Sequence, residues 1–303
     1  MSEGAGAETI IARLALLFEA GIDAGELAQI AQDMSSTDLQ NQDKLQRVAS
    51  LLRHRPDTLA LLREIGAAVR HRRDEAETDA AVVQRLASSF DAAARISSAA
   101  SVQLSSLGDE EKLSAATAEI TGWLQRQGFT GAGLRILDIG CGIGRFEIAL
   151  SPAALRVVGI DISPSMISIG LERCAALPNV ELRLTSGLDL ADFGDASFDC
   201  VLAVDSFPYL VLAGLAERYL KEIGRVLKRP GMAAILNYSY RGSPALDRSE
   251  IHHLAEAYGM QVVIDGERPF RLWDGTAFML VPVGTLRPGA GSGVDEERSV
   301  RST

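Results

Sequence analysis

The sequence predicts an α/β protein: a Rossmann-like, doubly wound sheet of seven strands whose last strand runs antiparallel, preceded by an all-helical N-terminal extension. Three observations predict it. Up to about Gln127 apolar residues recur at intervals of three and four, the period of amphipathic helices. Beyond Gly128 short β-branched runs alternate with helical stretches, as in a parallel sheet covered on both faces. The first of those runs ends in a glycine-rich turn that opens a helix.

The helical extension spans residues 1–76. Its apolar positions group as Ile11, Leu14, Leu16 and Leu17, then Leu45, Val48, Leu51 and Leu52, then Leu59, Leu62 and Ile65, with breaks at Gly21, at the capping stretch Ser35 to Asp38, and at Pro56. Arg70, His71, Arg72 and Arg73, followed by Asp74 and Glu75, read as a solvated helix end or linker. Residues 77–112 read as a helical lid or connector: a helix over Thr78–Arg95 and a polar, serine-rich connection over Ser97–Gly108, leading into a helix over Asp109–Gln127. Residues 113–285 then carry the strands Leu134–Asp138, Arg156–Asp161, Val180–Leu184, Cys200–Val204, Ala233–Tyr238, Gln261–Ile264 and Phe278–Val283. The loop Asp265–Ala277 is too short for a helical crossover, so the last two strands should pair antiparallel at the sheet edge. Residues 286–303 lack apolar periodicity and predict disorder.

Bulk properties narrow the function. A formal charge of -10 gives little electrostatic support for nucleic acid, so a small molecule or a protein is the favoured partner. Cys141, Cys174 and Cys200 match no zinc or redox spacing, and His252 and His253 have no ligating neighbour at metal spacing, so no metal is assigned. No run approaches the length of a membrane span, and the N-terminus lacks a basic leader; a soluble cytoplasmic protein with reduced thiols is expected.

The central motif is RILDIGCGIGRF, Arg135 to Phe146. A strand ends at Asp138, and Gly140, Gly142 and Gly144 let the backbone turn tightly and approach a ligand with no Cβ in the way. The second motif, VVGIDIS, ends a strand at Asp161, 21 residues after Gly140. A carboxylate there stands beside the first turn, able to accept both ribose hydroxyls of a nucleotide-like ligand; capping of the Ser163-Pro164 turn is its other reading. A dinucleotide fingerprint would need glycine where Arg145 stands, which leaves an NAD(P)-dependent oxidoreductase as an alternative.

The order LDIGCGIG, GIDIS with Met166, DASFDCVLAVDSFPYL (Asp195 to Leu210) and EIGRVLKRPGMAAIL (Glu222 to Leu236) resembles the class I S-adenosylmethionine-dependent methyltransferases, in particular their small-molecule branch. The resemblance covers about residues 85 to 283. It implies S-adenosylmethionine as cofactor, with Gly140, Cys141 and Gly142 lining its methionine part, Asp138 holding the amino end and Asp161 the ribose, and Ile162 and Met166 packing near the adenosine. Ser186 stands where the family places an acid for the adenine, leaving the backbone of Gly187 and Leu188 to serve, while Val204 and Asp205 would face the methyl group.

A nucleophile that arrives protonated needs a base, and Asp205, with Tyr209 second, is the candidate. Phe207, Tyr209, Tyr238, Tyr240, Arg241, Arg271 and Trp273 are candidates for an acceptor pocket at the carboxyl edge of the sheet. An arginine with a tryptophan suits a carboxylate or planar ring, though a tucked loop with an internal Arg271–Asp274 pair explains the same residues. By position, the segment Ser88–Asp109 would form a lid, with Phe90, Arg95 and Leu104 closing the pocket. The expected activity is methyl transfer to a nitrogen or oxygen of a small-molecule acceptor, the N-terminal helices covering the site or forming a homodimer contact; a non-catalytic cofactor-binding protein is the other alternative.

Overall fold

The computed structural model describes residues 6–17, 22–69 and 72–285 of the chain. Four helices come first: α1 (Ala7–Leu17), α2 (Ala24–Ser35), α3 (Gln42–His54) and α4 (Thr58–Ala68). The reasons they start and stop are local. Asp23 accepts from the Glu26 N–H while the Glu26 carboxylate accepts from the Asp23 N–H, a reciprocal box that opens α2. The breaks expected at Ser35 to Asp38 and at Pro56 fall between helices. The break expected at Gly21 lies outside the described residues, as do Arg70, His71 and the tail 286–303.

Next come α5 (Asp79–Ile96), α6 (Ser98–Val102), a 3₁₀ turn over Leu104–Ser106, and α7 (Glu110–Arg126). Thr78 caps α5 and Asp109 caps α7 through their side-chain oxygens. The serine-rich stretch Ser97–Gly108 is therefore more ordered than a polar connection. Ser97 caps α6 by accepting from the Ala100 N–H, and Ala99 and Ala100 are buried. Serines read from sequence as linker composition act here as caps.

From Gly131 the chain alternates β1 (Gly131–Ile139), α8 (Arg145–Leu150), β2 (Ala154–Asp161), α9 (Pro164–Cys174), β3 (Val180–Leu184), β4 (Phe198–Val204), α10 (Phe207–Ala213), α11 (Ala216–Val226), β5 (Leu227–Leu236), α12 (Pro244–Ala257), β6 (Met260–Glu267) and β7 (Ala277–Pro282). One seven-stranded sheet results, in the order β3-β2-β1-β4-β5-β7-β6, and β7 runs antiparallel to both its neighbours. Strand β7 is inserted between β5 and β6, so the edge itself is β6. The expected strand Ala233–Tyr238 ends two residues early, because Asn237 turns into the left-handed region with φ 65° and leaves the ladder.

Side-chain alternation divides the core between the two faces of the sheet. Leu137, Ile139, Val158, Ile160, Val201, Ala203, Ala233 and Ile235 join one apolar cluster with α5, α11 and α12. Ile136, Val157, Cys200, Leu202, Val204, Ala234 and Leu236 join the other with α7 and α8. A third cluster ties α1 to α4 together with Ala93, Ala100 and Leu107. Ionic links bind this helical region to the rest: Glu8 accepts from Arg47 and Lys112, Arg55 pairs with Asp109, and Arg13 of α1 pairs with Asp274 before β7.

The strand order reverses between β1 and β4, since β2 and β3 follow on one side and β5 on the other. In open α/β sheets the carboxyl ends of the strands at such a switch point form the ligand crevice. Here those ends are Ile139 and Val204.

Candidate active site

A cavity of about 620 Å³ opens at this point, with walls from three sources. The strand ends supply Gly140, Cys141, Gly142, Asp161, Ile162, Val204 and Asp205. The loops after β5 and before β7 supply Asn237, Tyr240, Trp273 and Asp274. The roof comes from α1, α4, α5 and α6 through residues such as Ala12, Arg13, Ile65, Phe90 and Val102, with Gln103 just after α6. The extension thus covers the cavity; of the expected lid residues, Phe90 and Leu104 line it, whereas Arg95 is exposed outside it.

The glycine turn is fixed by main-chain bonds to β2. Gly140 and Cys141 both donate to the Ile160 carbonyl, at 2.8 and 3.0 Å, and Gly142 donates to Asp161 Oδ2 at 2.9 Å. Gly140 has φ 78°, and a Cβ there would lie 2.3 Å from Ser206 Cβ, so conformation and space both demand glycine. With these amides consumed, the turn offers a ligand bare surface.

Asp161 ties the glycine turn to the turn that opens α9. Its Oδ1 accepts from the Ser163 N–H at 2.9 Å and its Oδ2 holds the turn, but the side-chain cap of α9 is Ser163, whose Oγ accepts from Met166 N–H. A carboxylate has about four acceptor directions, so about two remain for the cavity it lines. Burial raises its pKa, against the backbone amides of Ser163, Gly142 and Ile162, which stabilise the anion. The position is held from outside by Asp91 of α5, which accepts from Ser163 Oγ and from the Ser165 N–H.

Asp138 is placed differently from expectation. It is 1% exposed and absent from the cavity wall, because its position on β1 points it to the α7–α8 face, where it meets Glu147 of α8. Among the described residues none of the four carboxyl oxygens accepts a hydrogen bond from a donor on another residue, so the two groups bond to each other by sharing a proton. Burial, ahead of every other cause, pushes Asp138 up to about 7, and burial and then Asp138 push Glu147 well above the usual carboxylate range.

Asp205 directly follows β4 with φ 56°, a conformation that aspartate tolerates better than most residues. Its Oδ1 accepts from Asn237 Nδ2 at 2.6 Å and from Tyr240 Oη at 2.8 Å. Its Oδ2 has no hydrogen-bond partner among the described residues and is not sealed from the cavity. Burial raises the Asp205 pKa, and the two donors oppose the rise. Burial also raises the phenols of Tyr209 and Tyr240, with Asp205 the next cause, so both remain O–H donors. Asn237 is itself oriented by the Thr276 N–H, which donates to its Oδ1 at 2.9 Å. Sequence reading missed Asn237; its one signal was a polar residue ending a hydrophobic strand.

Among the other expected site residues, Ile162, Met166, Gly187, Val204, Tyr209, Tyr240 and Trp273 line the cavity. Leu188 lines an adjoining hollow beneath α5 instead. Phe207 and Tyr238 are fully buried and stack on each other at 5.2 Å, filling core volume below the loops. Arg241 turns away to Asp247 and Glu250. Arg271 is exposed, and its segment is pinned through the main chain: the N–H groups of Arg271 and Leu272 donate to Glu119 of α7. The partner of Asp274 is Arg13 and not Arg271, a contact 261 residues apart that no local pattern announces.

Comparison with known proteins agrees with this geometry. Residues 136–231 match the family described as "Methyltransferase domain". The demethylmenaquinone methyltransferase of Tropheryma whipplei (strain Twist) is 37% identical over 109 residues, 36% of this chain and 44% of that protein. The enzyme of the same name from Staphylococcus aureus (strain MRSA252) is 38% identical over 113 residues, 35% of this chain and 44% of that protein. The chain thus spans less than half the length of the curated relatives it matches. Among solved structures, Haemonchus contortus phosphoethanolamine N-methyltransferase 1 shares the fold, with TM-score 0.56 and 18% identity over 70% of this chain and 52% of that one. The strand order and the antiparallel β7 agree with that match and with the class I S-adenosylmethionine-dependent methyltransferase fold. The cofactor of that superfamily is S-adenosylmethionine, and the residues present fit it: a bare turn, a buried ribose-side carboxylate with spare acceptor capacity, and a covered cavity. Among the described residues no helix is long and apolar enough to cross a membrane.

Proposed function

We propose that this chain is an S-adenosylmethionine-dependent methyltransferase acting on a small, planar acceptor whose nucleophilic atom, oxygen or nitrogen, arrives carrying a proton. The observation that carries the reading is the Asp205 carboxylate at the switch point: one oxygen is held by Asn237 and Tyr240, the other is free toward the cavity. The aromatic walls Phe90, Tyr209, Tyr240 and Trp273 suit a flat ring. The curated relatives bear the name of a quinone substrate, which supports a flat ring as the acceptor class.

Bound S-adenosylmethionine supplies a methyl group activated by a sulfonium. The chain's own residues do the rest. Gly140, Cys141, Gly142, Asp161, Ile162, Met166 and Gly187 bind and orient the cofactor, and the backbone of Leu188 borders it. The helical roof excludes water. Asp205 Oδ2 takes the proton from the nucleophile as the new bond forms, while Tyr240 and Asn237 hold the carboxylate in one rotamer. Tyr209 packs edge-on against Phe90 at 4.9 Å and Tyr240 at 5.8 Å, which fixes the ring wall.

The test is a methyl-release assay over hydroxylated aromatic acceptors. Asp205→Asn should lower kcat by about 10² to 10⁴ with cofactor affinity nearly unchanged. An unchanged kcat would remove Asp205 from the chemistry.

A further inference from the structure

The short loop after β5 holds two carboxylates, and the account above uses one of them. Asn237 and Tyr240 reach Asp205, while Ser239 and Arg241 reach Asp247 of α12. Both carboxylates line the same cavity, which follows this loop from Asn237 through Ser239 and Tyr240 to Pro244. Asp247 is only 8% exposed, although its neighbours along α12, Leu246 and Arg248, are exposed. Its Oδ1 accepts from Ser239 Oγ at 2.6 Å and from Arg241 Nη2 at 2.8 Å. The Ser239 proton is directed there, because the Ser239 oxygen itself accepts from the Arg241 N–H and from Arg241 Nε, both at 3.2 Å. The Asp247 Oδ2 has no hydrogen-bond partner among the described residues and is not sealed from the cavity. Arg241 is shared between Asp247 and Glu250, with its guanidinium carbon 5.8 Å from the centre of the Tyr238 ring, so one cation is set against two carboxylates.

We infer that Asp247 is a specificity-determining residue of the acceptor site: its Oδ2 accepts a hydrogen bond from a second donor on the acceptor, a hydroxyl or amino group remote from the atom that is methylated. The inference rests on the proposed methyl transfer at Asp205 and names a further feature of its acceptor. A largely buried carboxylate oxygen is costly to leave unpaired, and in a cavity that takes a flat ring a substituent of that ring can supply the donor. The charge on this wall favours a donor over an anion. Arg248 is drawn to Asp265, and Arg268, which also lines the cavity, is exposed. Because one loop holds both carboxylates, the two positions they read are fixed relative to each other. An acceptor with a single donor satisfies only one of them.

Steady-state methyl transfer by the full chain over paired naphthalenes tests it. Each dihydroxynaphthalene isomer and each aminonaphthol is compared with the methoxynaphthol of the same substitution pattern, whose second oxygen accepts but cannot donate. For at least one pattern the wild-type chain should show kcat/KM at least about tenfold higher for the donor-bearing ring, mainly through a lower KM. Asp247→Asn keeps an oxygen for Ser239 and Arg241 and presents an N–H in place of Oδ2, so that ratio should fall to about one or below. A ratio unchanged in the variant, with both acceptors slowed alike, assigns Asp247 to structure and overturns the inference. Should the variant fail to fold, the wild-type chain decides. Lack of preference for the donor-bearing ring in every pattern, or a preference for hydroxynaphthoates, whose anion Arg268 would take, overturns the inference. Methyl transfer to none of these naphthalenes would refute the flat-ring acceptor of the proposed function, whereas transfer without a donor preference refutes only the role of Asp247.

Discussion

Two groups of carboxyls at the residue scale do opposite things with burial. Asp138 and Glu147 have no donor from another of the described residues and keep a proton between them. Their folded pKa values lie above the unfolded ones, which are about 4. The folded state therefore binds more protons between about pH 4 and about 7, and stability from this pair is lost as pH rises through that window. Glu147→Gln replaces the protonated member by an amide that can donate to Asp138. The variant should gain stability relative to wild type as pH is raised from 4 to 8, by about 1 kcal/mol or more, measured by urea unfolding. A constant difference across that range would mean no shared proton. Asp205, by contrast, is given donors. Removing one with Tyr240→Phe withdraws stabilisation from the anion and raises the Asp205 pKa, so the acidic limb of the kcat profile should move to higher pH. An unmoved limb would separate Tyr240 from the base. Asp161 and Asp205 were both legible from sequence because each stands at a strand end beside a turn. Asn237 and the Asp138–Glu147 pair depend on which face a side chain takes, which no spacing rule gives.

At the scale of elements, β2 is the most constrained strand beside the site. A Cβ on Gly159 would lie 2.3 Å from Glu147 Oε1 and 2.7 Å from both Cys141 Cβ and Leu182 Cδ2. Gly159→Ala should destabilise the fold by about 1 to 3 kcal/mol through overpacking, read as a lower midpoint in denaturant. A neutral substitution would mean that α8 can move off the sheet freely. The strands were readable because β-branched runs ended in turn residues; their ends shifted where a side chain stepped out of line, as Asn237 does. The stretch after α5 was misjudged for a different reason, since serine composition resembles a linker until its hydroxyls are seen capping helices.

For the whole molecule, the N-terminal helices form a roof over the cavity, joined to the sheet region by Arg13–Asp274, Arg55–Asp109 and the Glu8 links. Exposed pairs of this kind contribute little to stability, so Arg13→Ala should cost no more than about 1 kcal/mol. Its effect should fall on the loop before β7: deuterium uptake at residues 270–276 should rise if Asp274 loses its partner, and unchanged uptake would show the loop held by Glu119 alone. Sequence periodicity announced the helices but gave no contact between α1 and the loop, because a pair 261 residues apart leaves no local trace.

The central claim is that one adenosyl ligand lies between the Gly140–Gly142 turn and Asp161, and calorimetry with S-adenosylmethionine tests it most directly. We predict saturable binding by the wild-type chain, weakened by about 1 to 3 kcal/mol in Asp161→Ala. Absence of binding, or equal binding by the variant, would contradict the account.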